Sequence, residues 1–262
     1  MTRQTTDARD GPLDEERTLI VIATYNEREN LPLLLEMIWE VAPRVEVLVI
    51  DDNSPDGTGT WVAEEQSRRP HLHYIGRPGK RGLGSAIARA MRFAIEHQYD
   101  WLINMDGDLS HDPHDIPRLI EAGQGRGAAS CGEPCDVVVG SRYVPGGGTR
   151  GWPRHRRWMS RLVNVYSRLL LRLPLRDCSG GYRLFRVPVL RMIDWDRVKA
   201  TGYAFHEEFL WHLRRSGARL CEIPIVFVDR QRGRSKINVR EAIVALWRIF
   251  QLGCREWLSR SR

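Results

Sequence analysis

The chain has 262 residues, of which 42% are hydrophobic and 28% charged, with a formal net charge of +7; that supports a sizeable core in one large domain, or one domain with a modest extension. The basic excess is nearly all arginine, since Lys80, Lys199 and Lys236 are the only lysines, and it favours anionic partners: nucleotides, phosphates, nucleic acid or an acidic membrane face. No apolar run approaches the ~20 residues that cross a bilayer, the first 17 residues are too polar for a secretory signal, and the five cysteines, Cys131 and Cys135 among them, lack zinc-site spacing and read as free thiols of a cytoplasmic protein.

Residues 1–16 read as a flexible lead. The apolar run Leu19–Ala23 then predicts a buried strand, and Leu31–Val41 has helical periodicity. VEVLVI at 45–50 predicts a second strand, ending on DDNSPDGTG, and 58–68 a helix. HLHYIG at 71–76 is a short third strand; RPGKRGLGSAI leads from it into a helix reaching about His97. YDWLINM gives a fourth strand and runs into DGDLSHDP. Strands alternating with helices at this spacing predict a mostly parallel, Rossmann-like sheet with flanking helices. Ligands of such sheets bind beyond the carboxyl ends of the strands, so TYNE, DDNSPDG, GRPGKRG and MDGDLS are expected to converge.

Further on, DVVVGSRY at 136–143 is another strand and PGGGTRGW reads as turn-rich. A long helical pattern at 156–173 lets Trp158, Leu162, Tyr166, Leu169 and Leu173 share one side. GYAFHEEFLWHL turns helical in its second half, LCEIPIVFV is strand-like, and an amphipathic helix spans about 238–259.

Asp106 and Asp108 point the same way if the backbone is extended, and two such carboxylates suit Mg2+ or Mn2+, with Ser110 as a further ligand or a contact to a metal-bound water. A solvated strand-to-turn junction is the competing reading; the acidic pair Asp51–Asp52 at a second strand end weighs against it. Asp52 and Glu27 are placed for base or ribose contacts, Asp51 for steadying its loop, and Glu27 equally for capping a helix. Arg77, Lys80 and Arg81 sit among glycines that allow backbone close to a phosphate, but the segment lacks the G-K-[ST] ending of a P-loop; a plain basic turn fits it too.

Taken in order and spacing, TYNERENL, DDNSPDGTG, GKRGLGSA, MDGDLSHDP, VVGSRYVPGG, GGYRLFR and DRQRGRSKI resemble the dolichyl- or polyprenyl-phosphate mannose synthases, inverting glycosyltransferases of the glycosyltransferase 2 type with a GT-A fold. The resemblance implies a GT-A catalytic domain at 17–237 and a C-terminal amphipathic extension at 238–262. It implies metal-dependent, inverting transfer of mannose from GDP-mannose to a polyprenyl monophosphate. Matched motif by motif, Asp106, Asp108 and Ser110 take the metal positions, and Ala23, Tyr25, Glu27, Asp52 and Lys80 fall near the donor. Arg142 falls near the phosphates, Arg156 and Arg157 near the acceptor, and Arg230, Ser235 and Lys236 in a late motif that closes over the phosphates. Ala23 stands where the family usually has proline, and Gly107 where many members have alanine, which leaves sugar and base specificity open.

A phosphate monoester acceptor is already anionic near neutral pH, so the implied chemistry needs alignment and charge neutralisation more than a general base. Nine arginines and no carboxylate lie between Arg142 and Arg176, and the 156–173 helix and the stripe Ile243, Leu246, Trp247, Phe250 suit the cytoplasmic face of an anionic membrane. Packing on the core or on a membrane subunit would use the same stripes. The rival readings are a UDP-sugar or glucosyl donor, a silent lipid-binding subunit, and a nucleic-acid module; the acidic strand ends would repel a nucleic-acid backbone, and no nucleic acid is expected.

Overall fold

The structure, a computed structural model, describes residues 16–80, 82–127, 133–200, 202, 204–230 and 239–258. The lead at 1–15 and the positions of Arg81, Cys131, Ser235 and Lys236 lie outside the described residues.

The first half is built as its alternating pattern dictates. Strand β1 (Thr18–Thr24), helix α1 (Leu31–Val41), β2 (Glu46–Asp51), α2 (Thr58–Gln66), β3 (Leu72–Gly76), α3 (Leu83–Glu96) and β4 (Trp101–Asp106) follow in turn. β1 pairs in parallel with β2 on one side and β4 on the other, and β3 extends the sheet beyond β2. β1 is apolar on both sides because both faces of the sheet are covered. Leu19 and Val21 pack with Leu48, Ile87, Met91 and Phe209 on one face; Ile20 and Ile22 pack with Val47, Val49, Leu34 and Ile38 on the other.

The second half comprises α4 (Ile116–Gly123), β5 (Val137–Ser141), β6 (Gly148–Arg150), α5 (Arg154–Leu171), β7 (Arg183–Arg186), α6 (Val187–Leu190), α7 (Phe205–Arg215), β8 (Leu220–Pro224), β9 (Val226–Val228) and α8 (Val239–Leu258). The seven-stranded sheet runs β3-β2-β1-β4-β7-β5-β8, with β7 antiparallel to both neighbours and β8 parallel to β5. Two features depart from the sequence reading. The turn-rich PGGGTRGW contains β6, which pairs in parallel with the distant β9; and GGYRLFR supplies β7. Neither three- or four-residue strand has enough length to show a period of its own, so only its partner defines it.

Helix α5 is inverted in polarity. Its buried residues are Asn164, Ser167 and Leu171, whereas Trp158, Leu162, Val165 and Leu169 face outward, Trp158 and Leu162 each 70% exposed. Core packing is thus excluded for most of that stripe. Leu173 leaves it altogether, because the helix ends at Arg172 in the left-handed region and Leu173 turns into the core. α8 lies against α5 and α7: Ile249 and Leu252 are buried, Arg248 forks onto Glu208, and Glu256 accepts from Trp211 Nε1 and pairs with Arg214 and Arg215. Among the described residues no helix is long and apolar enough to cross a membrane.

Candidate active site

The loops after β1 and β2 are stitched together by side chains that accept from backbone. Asp51, 1% exposed, accepts from Thr24 Oγ1, Ser54 N and Ser54 Oγ. Across the gap, Asn26 N donates to Ser54 Oγ at 2.9 Å, Glu27 N to Thr58 Oγ1 at 3.1 Å and Arg28 N to Asp56 Oδ2 at 3.0 Å. The loop after β3 joins them: Arg77 N donates to Asp51 O at 2.8 Å, Arg77 Nε binds Asp52 Oδ1, and Lys80 Nζ sits 3.6 Å from the centre of the Tyr25 ring. Asp51 therefore steadies the loop, and Asp52 forms a nearly buried ion pair with Arg77. Ala23 is opposite Asp106 in the β1–β4 ladder. The Glu27 carbonyl accepts from Asn30 and Leu31 at the start of α1, while its carboxylate takes Asn30 Nδ2 at 2.8 Å.

The acidic pair lies where β4 ends. Asp106 is its last residue, and a Cβ at Gly107 would meet Ile22 Cγ2 at 3.1 Å and Glu27 Cγ at 3.5 Å, so glycine lets this loop lie against the Glu27 loop. Asp108 Oδ1 accepts from Ser110 N at 3.1 Å, and Asp108 Oδ2 is 3.2 Å from Arg230 Nη2. The Asp106 side chain is 38% exposed yet sits deep among protein groups. Burial raises its pKa; His111 and Arg230 pull it down and Asp108 pushes it further up. Ser110 Oγ is buried without a hydrogen-bond partner among the described residues. Two carboxylates and an orphaned hydroxyl fit a hard divalent cation. No group of three His, Cys, Asp or Glu side chains suited to a metal occurs among the described residues.

The basic side of the cleft is assembled by the segment before β7. Asp177 is fully buried and accepts from Arg142 N, Nε and Nη2 at 3.0, 2.7 and 2.7 Å, and from Gly180 N at 3.0 Å. Burial opposes both charges, but each ion outweighs it for the other: Asp177 is held below its ordinary pKa and Arg142 above. Asn164 Oδ1 accepts from Cys178 N and Ser179 N, which explains the polar inner face of α5. At Gly181 a Cβ would lie 3.3 Å from Asp106 Oδ1, so the Arg142–Asp177 network borders the Asp106–Asp108 pair. Arg156 stacks 4.2 Å from the Trp152 ring and pairs with Asp229 at 2.9 Å; the buried Trp152 Nε1 has no hydrogen-bond partner among the described residues. Arg157 is exposed on α5.

The structure thus brings Ala23, Tyr25, Glu27, Asp52, Lys80, Asp106, Asp108, Ser110, Arg142 and Arg230 around the carboxyl ends of β1–β5, with Arg156 at the rim. Three residues of the site were given no role by the sequence. Asp177 lay in DCSGGYR, and only the tertiary pairing reveals it as Arg142's counterion. Trp152 was lost in a glycine-rich stretch. His111 stood in plain view three residues after Asp108: it is 2% exposed, its ring stacked on Tyr182 at 4.7 Å, and burial lowers its pKa, which favours the neutral ring.

A seven-stranded, mostly parallel sheet with an acidic pair at the end of its central strand, faced by guanidiniums, defines an α/β protein of the glycosyltransferase class. The chain belongs to glycosyl transferase family 2, whose profile matches residues 19–193, and it is a glycosyltransferase with a GT-A-like fold. It is 41% identical over 235 residues to an undecaprenyl-phosphate mannosyltransferase of Micrococcus luteus, covering 88% of this chain and 93% of that protein. It is 40% identical over 251 residues to a polyprenol monophosphomannose synthase of Mycolicibacterium smegmatis, covering 94% and 91%. In fold it resembles glucosyl-3-phosphoglycerate synthase from Mycobacterium tuberculosis, solved with Mn2+, UDP and glucosyl-3-phosphoglycerate (TM-score 0.61, 16% identity, 91% of this chain and 79% of that one). It also resembles a mannosyltransferase from Pyrobaculum calidifontis solved with GDP-Man and Mn2+ (TM-score 0.54, 19% identity, 84% and 58%).

Proposed function

We propose that the protein transfers mannose from GDP-mannose to a polyprenyl monophosphate, inverting the linkage to give β-linked polyprenyl-phosphate mannose and GDP. The observation that carries this reading is the charge layout of the cleft: Asp106 and Asp108 on one side, and Arg230, Arg142 and Arg156 on the other. That layout suits two phosphorylated substrates that repel one another. The two relatives at about 40% identity supply the sugar and the acceptor class.

Asp106, Asp108 and Ser110 would hold Mg2+ or Mn2+, which supplies Lewis-acid stabilisation of a departing diphosphate. Tyr25, Glu27, Asp52 and Lys80 border the pocket for the nucleoside. Arg142, fixed by Asp177, and Arg230 counter the charge of the phosphates, and arginine's fork suits this because it donates in pairs. Arg156, backed by the Trp152 ring, receives the acceptor phosphate at the rim. One acceptor oxygen attacks the sugar C1 from the face opposite the diphosphate; the new C1–O bond forms as the old one breaks, and the bonding electrons leave with GDP. No general base is required, because the attacking oxygen is already ionised.

A donor panel tests this reading. Purified protein is given Mg2+ or Mn2+, a short polyprenyl phosphate and one of GDP-mannose, GDP-glucose, UDP-glucose or UDP-galactose, and products are read by mass. One hexose is expected from GDP-mannose, with little from the others. Product from UDP-glucose and none from GDP-mannose transfers the assignment to the glucosyl rival.

A lipid acceptor supports work at a membrane, at its cytoplasmic face in this reading, and the outward stripes of α5 and α8 are the surface proposed to meet it. Trp158, Leu162, Val165 and Leu169 on α5 and Ile243, Trp247 and Phe250 on α8 are exposed, and the two helices meet where Tyr166 Oη donates to Leu246 O at 3.2 Å. Arginines along α5 can reach headgroups while the apolar residues enter the acyl boundary. Replacing both Trp158 and Trp247 with serine is expected to weaken co-sedimentation with phosphatidylglycerol vesicles by at least about tenfold, given ~2 kcal/mol per buried aromatic. Transfer to a short water-soluble acceptor should persist. Unchanged sedimentation would remove these helices from the membrane contact and favour a protein partner.

A further inference from the structure

The β4–β7 ladder ends at Asn104 opposite Arg183. Two residues further along β4, the backbone N–H of Asp106 has no β7 partner in that ladder, and an unpaired buried donor costs about 1–3 kcal/mol. The ring of His111 takes the place of the missing strand: Asp106 N donates to His111 Nδ1 at 3.1 Å, closing a loop from residue 106 to residue 111 around the acidic pair. With Nδ1 accepting, the proton of the neutral ring resides on Nε2. Nε2 lies 3.8 Å from Asp106 Oδ2.

The ring itself is wedged in place. It stacks on Tyr182 with planes 14° apart and meets the edge of Phe227 at 5.5 Å. Tyr182 is anchored by its hydroxyl, which donates to Asp112 O at 3.0 Å. Phe227 belongs to β9, whose Val228 N donates to Ser110 O at 3.1 Å. The loop of glycines before β7 and the β6–β9 ribbon therefore both bear on His111, and through it on Asp106.

We propose that His111 is a positioning residue for the metal site: it fixes the Asp106 backbone and presents an N–H toward its carboxylate, so that Asp106 meets the cation in one orientation. This inference rests on the metal-dependent reading given above. A plain packing role is the alternative, since leucine would fill much of the same space between Tyr182 and Phe227. The two roles differ in what the side chain must offer. Packing needs volume only; positioning needs an acceptor for Asp106 N and a donor beside its carboxylate, which glutamine can provide.

Mn2+ binding in the presence of GDP, followed through the electron paramagnetic resonance of the free ion, separates them. Outer partners of metal ligands change affinity by about 10–100-fold when lost. His111→Leu is expected to weaken Mn2+ binding within that range, and His111→Gln to stay within about threefold of wild type; because leucine strands the Asp106 N–H, the Leu variant should also melt below the Gln variant while remaining folded. Mn2+ binding by His111→Leu equal to wild type, or equal weakening in both variants, overturns the proposal. Asp108→Asn serves as the control: if wild type binds Mn2+ and Asp108→Asn does not, retained binding by His111→Leu sinks the His111 role alone. A wild-type protein that binds no Mn2+ with GDP sinks the metal reading and this one together.

Discussion

Asp108→Ala is expected to lower mannosyl transfer by about a hundred- to a thousandfold while leaving the protein folded. The loss is large because a carboxylate aimed at the cation acts where charge develops on the leaving diphosphate, and removing one such preorganised group commonly costs two to three orders of magnitude. The structural cost is small by comparison. Asp108 accepts from Ser110 N and pairs with Arg230, whose side chain is 27% exposed and so keeps contact with solvent once Asp108 is gone, while its loss relieves the repulsion with Asp106. Asp108→Asn, which keeps the volume and can still accept from Ser110 N, should lose activity almost as fully. Initial rates with saturating donor and acceptor, alongside thermal melts, make the check. Wild-type turnover by either variant removes the acidic pair from the mechanism.

Asp177→Ala should produce the largest loss of stability of any change at the site. Asp177 is fully buried and answers an Arg142 side chain that is only 7% exposed. Removing it strands a desolvated guanidinium together with the N–H groups of Arg142 and Gly180 that Asp177 accepts. Breaking a buried pair from one side costs about 3–5 kcal/mol, which lowers the melting midpoint by roughly 10 °C in a chain of this size. Replacing both partners with apolar residues, Arg142→Met with Asp177→Leu, should restore much of that midpoint, because the lone charge is what costs. It should leave the enzyme inactive, since Arg142 serves the phosphates. A midpoint within about 2 °C of wild type for Asp177→Ala contradicts this account of the pair.

The two outcomes bear on how far a sequence can be read. The β1–β4 half was legible because each of its strands is long enough to show its pattern and each is followed by a helix. Placing every polar motif at a strand end then follows from parallel topology, and the acidic pair stood out because two carboxylates at a buried strand end need a cation. What escaped depends on partners far along the chain. β6 is defined by β9, and β7 fills a gap between β4 and β5. Asp177 acquires its role from a residue 35 positions away, and no local period encodes such a pairing. α5 was legible only in part: its apolar stripe was visible and suited an outward, membrane-facing side, but what fixes the inward side is Asn164 bonding the backbone of Cys178 and Ser179. His111 shows the converse, a residue within a legible motif whose task is set by where a ladder stops.

The most direct test is the position of the metal in a crystal of the protein soaked with Mn2+ and GDP-mannose, located by anomalous scattering at the manganese edge. The account predicts a single peak bridging the carboxylates of Asp106 and Asp108 and the donor's diphosphate. A manganese ion on the diphosphate but away from both carboxylates would contradict it.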